Sequence, residues 1–219
     1  MSIRIDYLPN HKDIKIYQDD EMFCINTDTM VLGEFLEVYK KDAVLDIGTN
    51  NGALLIYANM FKPKKLIGLD INEEALKIAK MNMELHHIEN YELICHDAVT
   101  YEGEKVDVII CNPPYFKTKE EEKCDNPYLA LAKHEGNLKL DNLINTIDKN
   151  IKTGGTLFFL FQTSRLNEVL LELNKHKFNI KTMKFVYDKN KEYSNVFLIK
   201  AIKGGLPGMV VEKPIIIER

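Results

Sequence analysis

Short apolar runs alternate along this chain with stretches whose apolar positions recur every three to four residues. Ala43–Ile47, Lys65–Asp70, Tyr91–Cys95, Val106–Cys111 and Thr156–Phe161 each read as a buried strand. Between them, 53–61, Glu73–His86 and Leu138–Ile151 carry helical spacing, as does Leu166–Asn174 after the last run. In the second of these, Ala75, Leu76, Ile78, Ala79 and Met83 fall on one face. Strands alternating with helices predict an α/β fold on a mostly parallel sheet. Two further strands, 180–186 and 195–202, follow the last helix, and 213–219 can add an edge strand. Residues 1–20 alternate polar and apolar and predict a strand or hairpin lid. Asn26-Thr27-Asp28-Thr29 follows, and its Thr/Asp cluster caps a helix over Met30–Leu36.

The chemistry concentrates at strand ends, where open α/β sheets bind ligands. Val106–Cys111 delivers Asn112-Pro113-Pro114-Tyr115. The Asn112 side-chain oxygen is an acceptor, and Pro113, having no N–H, contributes only its carbonyl. A residue before proline is held extended, so Asn112 projects off the strand. Tyr115 adds an aromatic face. Two acceptors and a stacking platform suit a planar group bearing an NH₂. A plain Asn-Pro turn is the alternative.

Ala43–Ile47 runs into Gly48-Thr49-Asn50-Asn51-Gly52 and a helix, so backbone N–H groups can face a carboxylate or phosphate there. Asp70 ends the next strand, at the spacing of an acid that holds ribose hydroxyls. A dinucleotide fingerprint begun at Gly48 fails at Asn50 and Ala53, and no Walker A loop exists. Asp97, past the third strand, accepts from an adenine amine or caps the segment 98–101. The polar stretch 116–135 is long for a connection at this end of a sheet, and long connections there carry function.

Composition narrows the class. The 219 residues are 45% hydrophobic and 28% charged, ordinary for a globular protein. Cys24, Cys95, Cys111 and Cys124 form no metal-binding or disulfide pattern, no apolar run spans a bilayer and no signal peptide opens the chain, so a cytoplasmic protein without a metal is expected. Net charge is −4, yet residues 170–219 hold ten Lys/Arg against five Asp/Glu. That quarter either meets phosphate or is a solvated lysine-rich surface.

With these residues in view, the chain resembles the Rossmann-like, S-adenosylmethionine-dependent amino-methyltransferases. Asp46-Ile47-Gly48-Thr49-Asn50-Asn51-Gly52 resembles their D-x-G-x-G-x-G loop, with Asn50 at the middle glycine. Asparagine tolerates the left-handed backbone. Asp70 matches the ribose-binding acid, Asp97 the adenine-contacting position, and Asn112 to Tyr115 the N-P-P-Y motif. More narrowly, the chain is similar to bacterial tRNA1(Val) adenine-N6-methyltransferases. Asn26 to Gly33, which includes Thr27, resembles a segment that closes over the cofactor, and Lys133-His134-Glu135 resembles a family R-H-E.

The resemblance implies a seven-stranded sheet with helices on both faces and an antiparallel C-terminal hairpin. It implies one domain over 1–219: a lid region 1–40, a core 41–203 and a C-terminal segment 204–219. S-adenosylmethionine is the implied cofactor, held by Thr27, Asp46, Gly48, Asn50, Gly52, Asp70, Asp97 and Asn112. Asn112, Pro113 and Tyr115 are the implied catalytic group, with Pro114, Tyr115, Phe116 and His134 on the substrate side. His134 is a proton relay or a surface histidine. The implied partner is tRNA with a looped-out adenine next to the anticodon.

Three alternatives share parts of this pattern. Protein-glutamine methyltransferases use the same motif behind a helical N-terminal domain, and only about 40 residues precede the first core strand here. DNA adenine methyltransferases need a larger target-recognition region. A non-catalytic S-adenosylmethionine-binding protein is the third, kept open by Asn50.

Overall fold

In the computed structural model, residues 2–113 and 139–218 are described. The first two strands, β1 (Ile3–Leu8) and β2 (His11–Asp19), form a separate antiparallel hairpin. Helix α1 (Thr27–Glu34) begins on Asn26, whose side-chain oxygen accepts from the Thr29 N–H at 3.0 Å. The cap is therefore Asn26 and not the Thr/Asp cluster that follows it, and the helix starts at Thr27, three residues before the expected Met30.

The core follows the alternation read above: β3 (Ala43–Ile47), α2 (Ala53–Asn59), β4 (Lys65–Asp70), α3 (Glu73–Leu85), β5 (Tyr91–Cys95) and β6 (Val106–Cys111). After the undescribed residues come α4 (Leu140–Asn150), β7 (Ile151–Gln162), α5 (Leu166–Lys175), β8 (Phe178–Asp188) and β9 (Ser194–Lys203). Strands β5, β4, β3, β6 and β7 lie side by side in parallel, and β9 and then β8 continue the sheet antiparallel. This matches the expected seven strands. Two short strands, β10 (Val210–Val211) and β11 (Ile215–Ile217), extend it by pairing parallel with β8.

Period-two alternation explains why the central strands bury both faces. Val44, Val108, Ile110, Phe158 and Leu160 join one core with α1, α2 and the hairpin's Leu8 and Ile16. Leu45, Ile109, Cys111, Leu157 and Phe159 join the other with α4 and α5. By this parity Asp46 lies on the first face, beneath the hairpin.

Strand β7 starts earlier than the expected Thr156. Ile151 already pairs with Val106, and Thr156 with Val108, so residues 152–155 bulge out between two paired positions. Gly154 at φ 82° permits the bulge. Half of the ten basic residues in the C-terminal quarter are paired: Lys175, Lys184 and Lys189 with Glu172, Glu212 and Glu218 of the same quarter, and Lys200 and Lys203 with Glu37 and Asp148 outside it. Among the described residues no helix is long and apolar enough to cross a membrane.

Helices α1 and α2 touch through Gly33, where an added Cβ would land on the buried Tyr57 ring. That ring cannot swing away freely, because its hydroxyl donates to the Pro9 carbonyl at 2.8 Å. Gly33→Ala should therefore destabilise the fold by about 2 kcal/mol, the overpacking cost exceeding alanine's advantage of ~1 kcal/mol within a helix. A denaturant midpoint equal to or above the parent's would refute the close packing.

Candidate active site

The sheet reverses its winding direction between β3 and β6, and a crevice opens at such a switch point. Ile47 pairs with Leu69 on one side and Cys111 on the other. One residue further along each strand stand Gly48, Asp70 and Asn112. Three stretches separated by up to 64 positions thus leave the sheet together. Asn112 is half-buried and Pro113 buried.

The loop 48–52 owes its shape to three left-handed residues: Gly48 (φ 77°), Asn50 (φ 49°) and Gly52 (φ 79°). The Gly48 and Thr49 N–H groups both donate to the Leu69 carbonyl, at 2.8 and 2.9 Å. Asn50 keeps the backbone geometry that the glycine pattern calls for. Its N–H donates to Asp70 Oδ2 at 2.7 Å, and Asn72 N–H donates to Asp70 Oδ1 at 2.9 Å. Desolvation raises the Asp70 pKa, while the N–H groups of Asn72, Asn50 and Ile71 oppose the rise. Each carboxylate oxygen keeps a second lone pair for a hydroxyl.

Asp46 is different. It is fully buried, and neither carboxylate oxygen has a hydrogen-bond partner among the described residues. Burial pushes its pKa up to about 7; Asp70 adds to the rise, and the Thr49 hydroxyl opposes it without closing a hydrogen bond in this geometry. A buried acceptor without a donor is costly unless a ligand supplies one. The same burial, with Asp46 nearby, pushes the Cys111 thiol well up, so it is an inert core group.

Asp97 holds a turn. Its Oδ1 accepts from Val99 N–H at 2.8 Å, and its backbone carbonyl accepts from Thr100 N–H at 3.2 Å. The capping alternative is thus realised, on an exposed side chain two residues beyond the Asp70–Cys95 pair. Thr27 sits at the start of α1. Pro114, Tyr115, Phe116 and His134, with the stretch 116–135, lie outside the described residues.

Two side chains that the sequence reading passed over fix the hairpin against this loop. Asn82 is buried on the core face of α3. Its Oδ1 accepts from Tyr17 N–H at 2.7 Å, and its Nδ2 donates to the Tyr17 and Asn51 carbonyls at 3.0 and 2.9 Å. Gln18, also buried, accepts from Ile25 N–H at 2.6 Å and donates to Asp6 at 3.0 Å. A signal for Asn82 was available: it is a polar residue at an apolar-face position of an amphipathic helix.

The described residues fit a cationic nucleoside cofactor. Among the described residues nothing lies within 4 Å of where a Cβ on Gly48 would stand, leaving room for close approach. Asp46 offers an unpartnered buried carboxylate to a positive centre, and Asp70 offers acceptors to hydroxyls.

A family model described as "Methyltransferase small domain" matches residues 13–187, more than half of the chain. A Methanocaldococcus jannaschii protein named for N5-glutamine methylation of protein is 38% identical over 100 residues, covering 44% of this chain. The chain spans only 50% of that relative's length. The tRNA1(Val) (adenine(37)-N6)-methyltransferase of Shewanella halifaxensis is 26% identical over 175 residues, covering 76% of this chain and 70% of that protein. Among solved structures, the ribosomal protein L11 methylase of Lactobacillus delbrueckii subsp. bulgaricus superposes with a TM-score of 0.64 at 21% identity, covering 91% of each chain. Family and fold together imply S-adenosylmethionine as the cofactor.

Proposed function

The chain belongs to the methyltransferase small domain family, and from that premise we propose that it methylates N6 of an adenine in tRNA, next to the anticodon. The observation that carries the reading is the alignment of Asn112-Pro113 with the loop 48–52 across the β3–β6 pair. It supports a reading in which two acceptors lie next to the loop that receives a methyl donor.

When bound, S-adenosylmethionine supplies an electrophilic methyl on a sulfonium. The chain's residues do the rest by position and electrostatics. Asp46 faces the donor's positive end, and Asp70 accepts from its ribose hydroxyls. Gly48, without a side chain, lets the donor approach the loop, whose own N–H groups at 48, 49, 50, 52 and 53 are spent on Leu69, Asp70, Thr49 and Asn51 rather than on the ligand. Asp97, whose Oδ1 holds the turn at Val99, keeps its other carboxylate oxygen as the acceptor assigned to the donor's adenine, and Thr27 lines the donor's cover. The Asn112 oxygen and the Pro113 carbonyl accept the two hydrogens of the substrate amine. The amine lone pair, otherwise delocalised into the ring, would thereby be freed toward the methyl, the N–CH₃ bond forming as the S–CH₃ bond breaks and the surplus amine proton passing to water. The role given to Tyr115 is stacking on the base, and Pro114, Phe116 and His134 are assigned to the substrate side. Neither a metal nor a covalent intermediate is needed. The whole chain, 1–219, acts as one catalytic domain.

A second reading keeps the same grip and changes the acceptor to a protein glutamine. It is supported by the 38% identity with the M. jannaschii protein over 100 residues. The longer match to the S. halifaxensis tRNA enzyme favours the first. Mass spectrometry of tRNA nucleosides from cells lacking this protein decides between them. Loss of N6-methyladenosine, restored by the parent gene and not by Asn112→Ala, is expected. Unchanged nucleosides with a lost methylglutamine peptide would overturn the tRNA reading.

A further inference from the structure

The residue that departs from the glycine pattern makes a contact that glycine cannot make. Asn50 Nδ2 donates to the Phe23 carbonyl at 2.6 Å, reaching across 27 residues of chain. Phe23 lies in the strap 20–26 that joins the hairpin to α1. The strap's other contacts gather on either side of Phe23. Before it come the Glu21 and Met22 N–H groups on Asp19 at 3.0 Å each, and Arg4 on Asp20. After it come Cys24, with Arg4 at 3.9 Å and the Asp19 carbonyl at 3.6 Å, and Ile25, with its N–H on Gln18 at 2.6 Å and its side chain against the core. Regular sheet pairing does not hold it. Asn50 also carries the backbone N–H that binds Asp70. One left-handed residue therefore links the strap, the loop and the acid that faces the donor's hydroxyls.

We propose that Asn50 is a positioning residue that latches the strap 20–26 onto the loop 48–52 and so governs how long the methyl donor is retained. It rests on the donor site described above, but not on what is methylated. The side chain turns outward to the strap, and only its backbone faces the donor site. Asn82 fixes the hairpin base from the other side through Tyr17 and Asn51, so the strap spans two fixed points. With its latch gone, the strap opens without disturbing the sheet.

The test compares the parent with Asn50→Gly, which keeps the left-handed backbone and removes the donor, and with Asn50→Asp, which keeps the shape but presents a carboxylate to a carbonyl. Hydrogen exchange on the protein alone should show amides 22–26 losing protection about five- to tenfold, the scale of one net hydrogen bond, while β3 and β6 keep theirs. S-adenosylmethionine should bind both variants about five- to tenfold more weakly, through faster dissociation in stopped flow. Unchanged strap protection in Asn50→Gly would overturn the proposal, as would an even loss across the whole sheet or an unchanged dissociation rate. Exchange of the empty protein needs neither donor nor acceptor. Failure of tRNA methylation therefore leaves this result standing, and an unlatched strap says nothing against the substrate.

Discussion

Asn112→Ala should cut methyl transfer by about 10²- to 10³-fold at saturating donor, the loss typical of removing one preorganised polar group from a reacting centre. Donor affinity should change by less than about threefold, because the proposed site assigns the donor's charged end to Asp46 and its hydroxyls to Asp70. The division follows from the sheet. Asn112 leaves β6 beside Gly48, whereas Asp70 leaves β4 on the far side of β3. Single-turnover methyl transfer with calorimetric titration of S-adenosylmethionine separates the two effects. Asn112→Asp is the sharper variant: its carboxylate still accepts, so residual transfer should exceed that of alanine unless protonation makes it a donor. A tenfold loss of donor affinity in Asn112→Ala would move this side chain from the acceptor to the cofactor.

The frame of this site was readable because each of its strands is short, apolar and closed by a chemically distinctive residue. Val106–Cys111 ending in Asn112 and Lys65–Asp70 ending in an acid needed only a short apolar run to be placed as buried strands. Parallel pairing did the remaining work, since register fixes which strand ends are neighbours. The latch and the hairpin contacts were not readable for the opposite reason. Asn50 to Phe23 and Asn82 to Tyr17 are polar contacts between segments 27 and 65 residues apart, and no local pattern encodes such distances. Asp97 shows a limit of another kind. Both of its expected roles draw on the same oxygens, and only geometry shows that one of them caps a turn. The early start of β7 was hidden because Gly154 and Gly155 signal a turn, and the bulge they make lies inside a strand.

Asp70→Ala should weaken S-adenosylmethionine binding by about 10²-fold or more, since charge-assisted hydrogen bonds and newly orphaned donors each cost enough for about a tenfold change. The acid has two duties: it accepts from the Asn50 and Asn72 N–H groups, and it keeps lone pairs for the ligand. Its loss therefore frees the left-handed loop as well as the hydroxyl contact. Asp70→Asn should do little better, because its amide must turn an N–H toward one of those two N–H donors. The pH profile gives an independent reading. Raised from 3.8 to about 7, Asp46 holds in the folded chain a proton that the unfolded chain has released, so the empty fold loses stability as pH rises between those values. A cationic donor prefers the ionised carboxylate, so its affinity should climb as pH passes upward through about 7. The charge of Asp70 is part of what raises Asp46. In Asp70→Ala the climb should therefore move to lower pH, even as affinity falls throughout. Titrations across pH 5.5 to 8.5 that show parallel profiles for parent and variant would break the coupling between the two carboxylates, and with it the role given to Asp46.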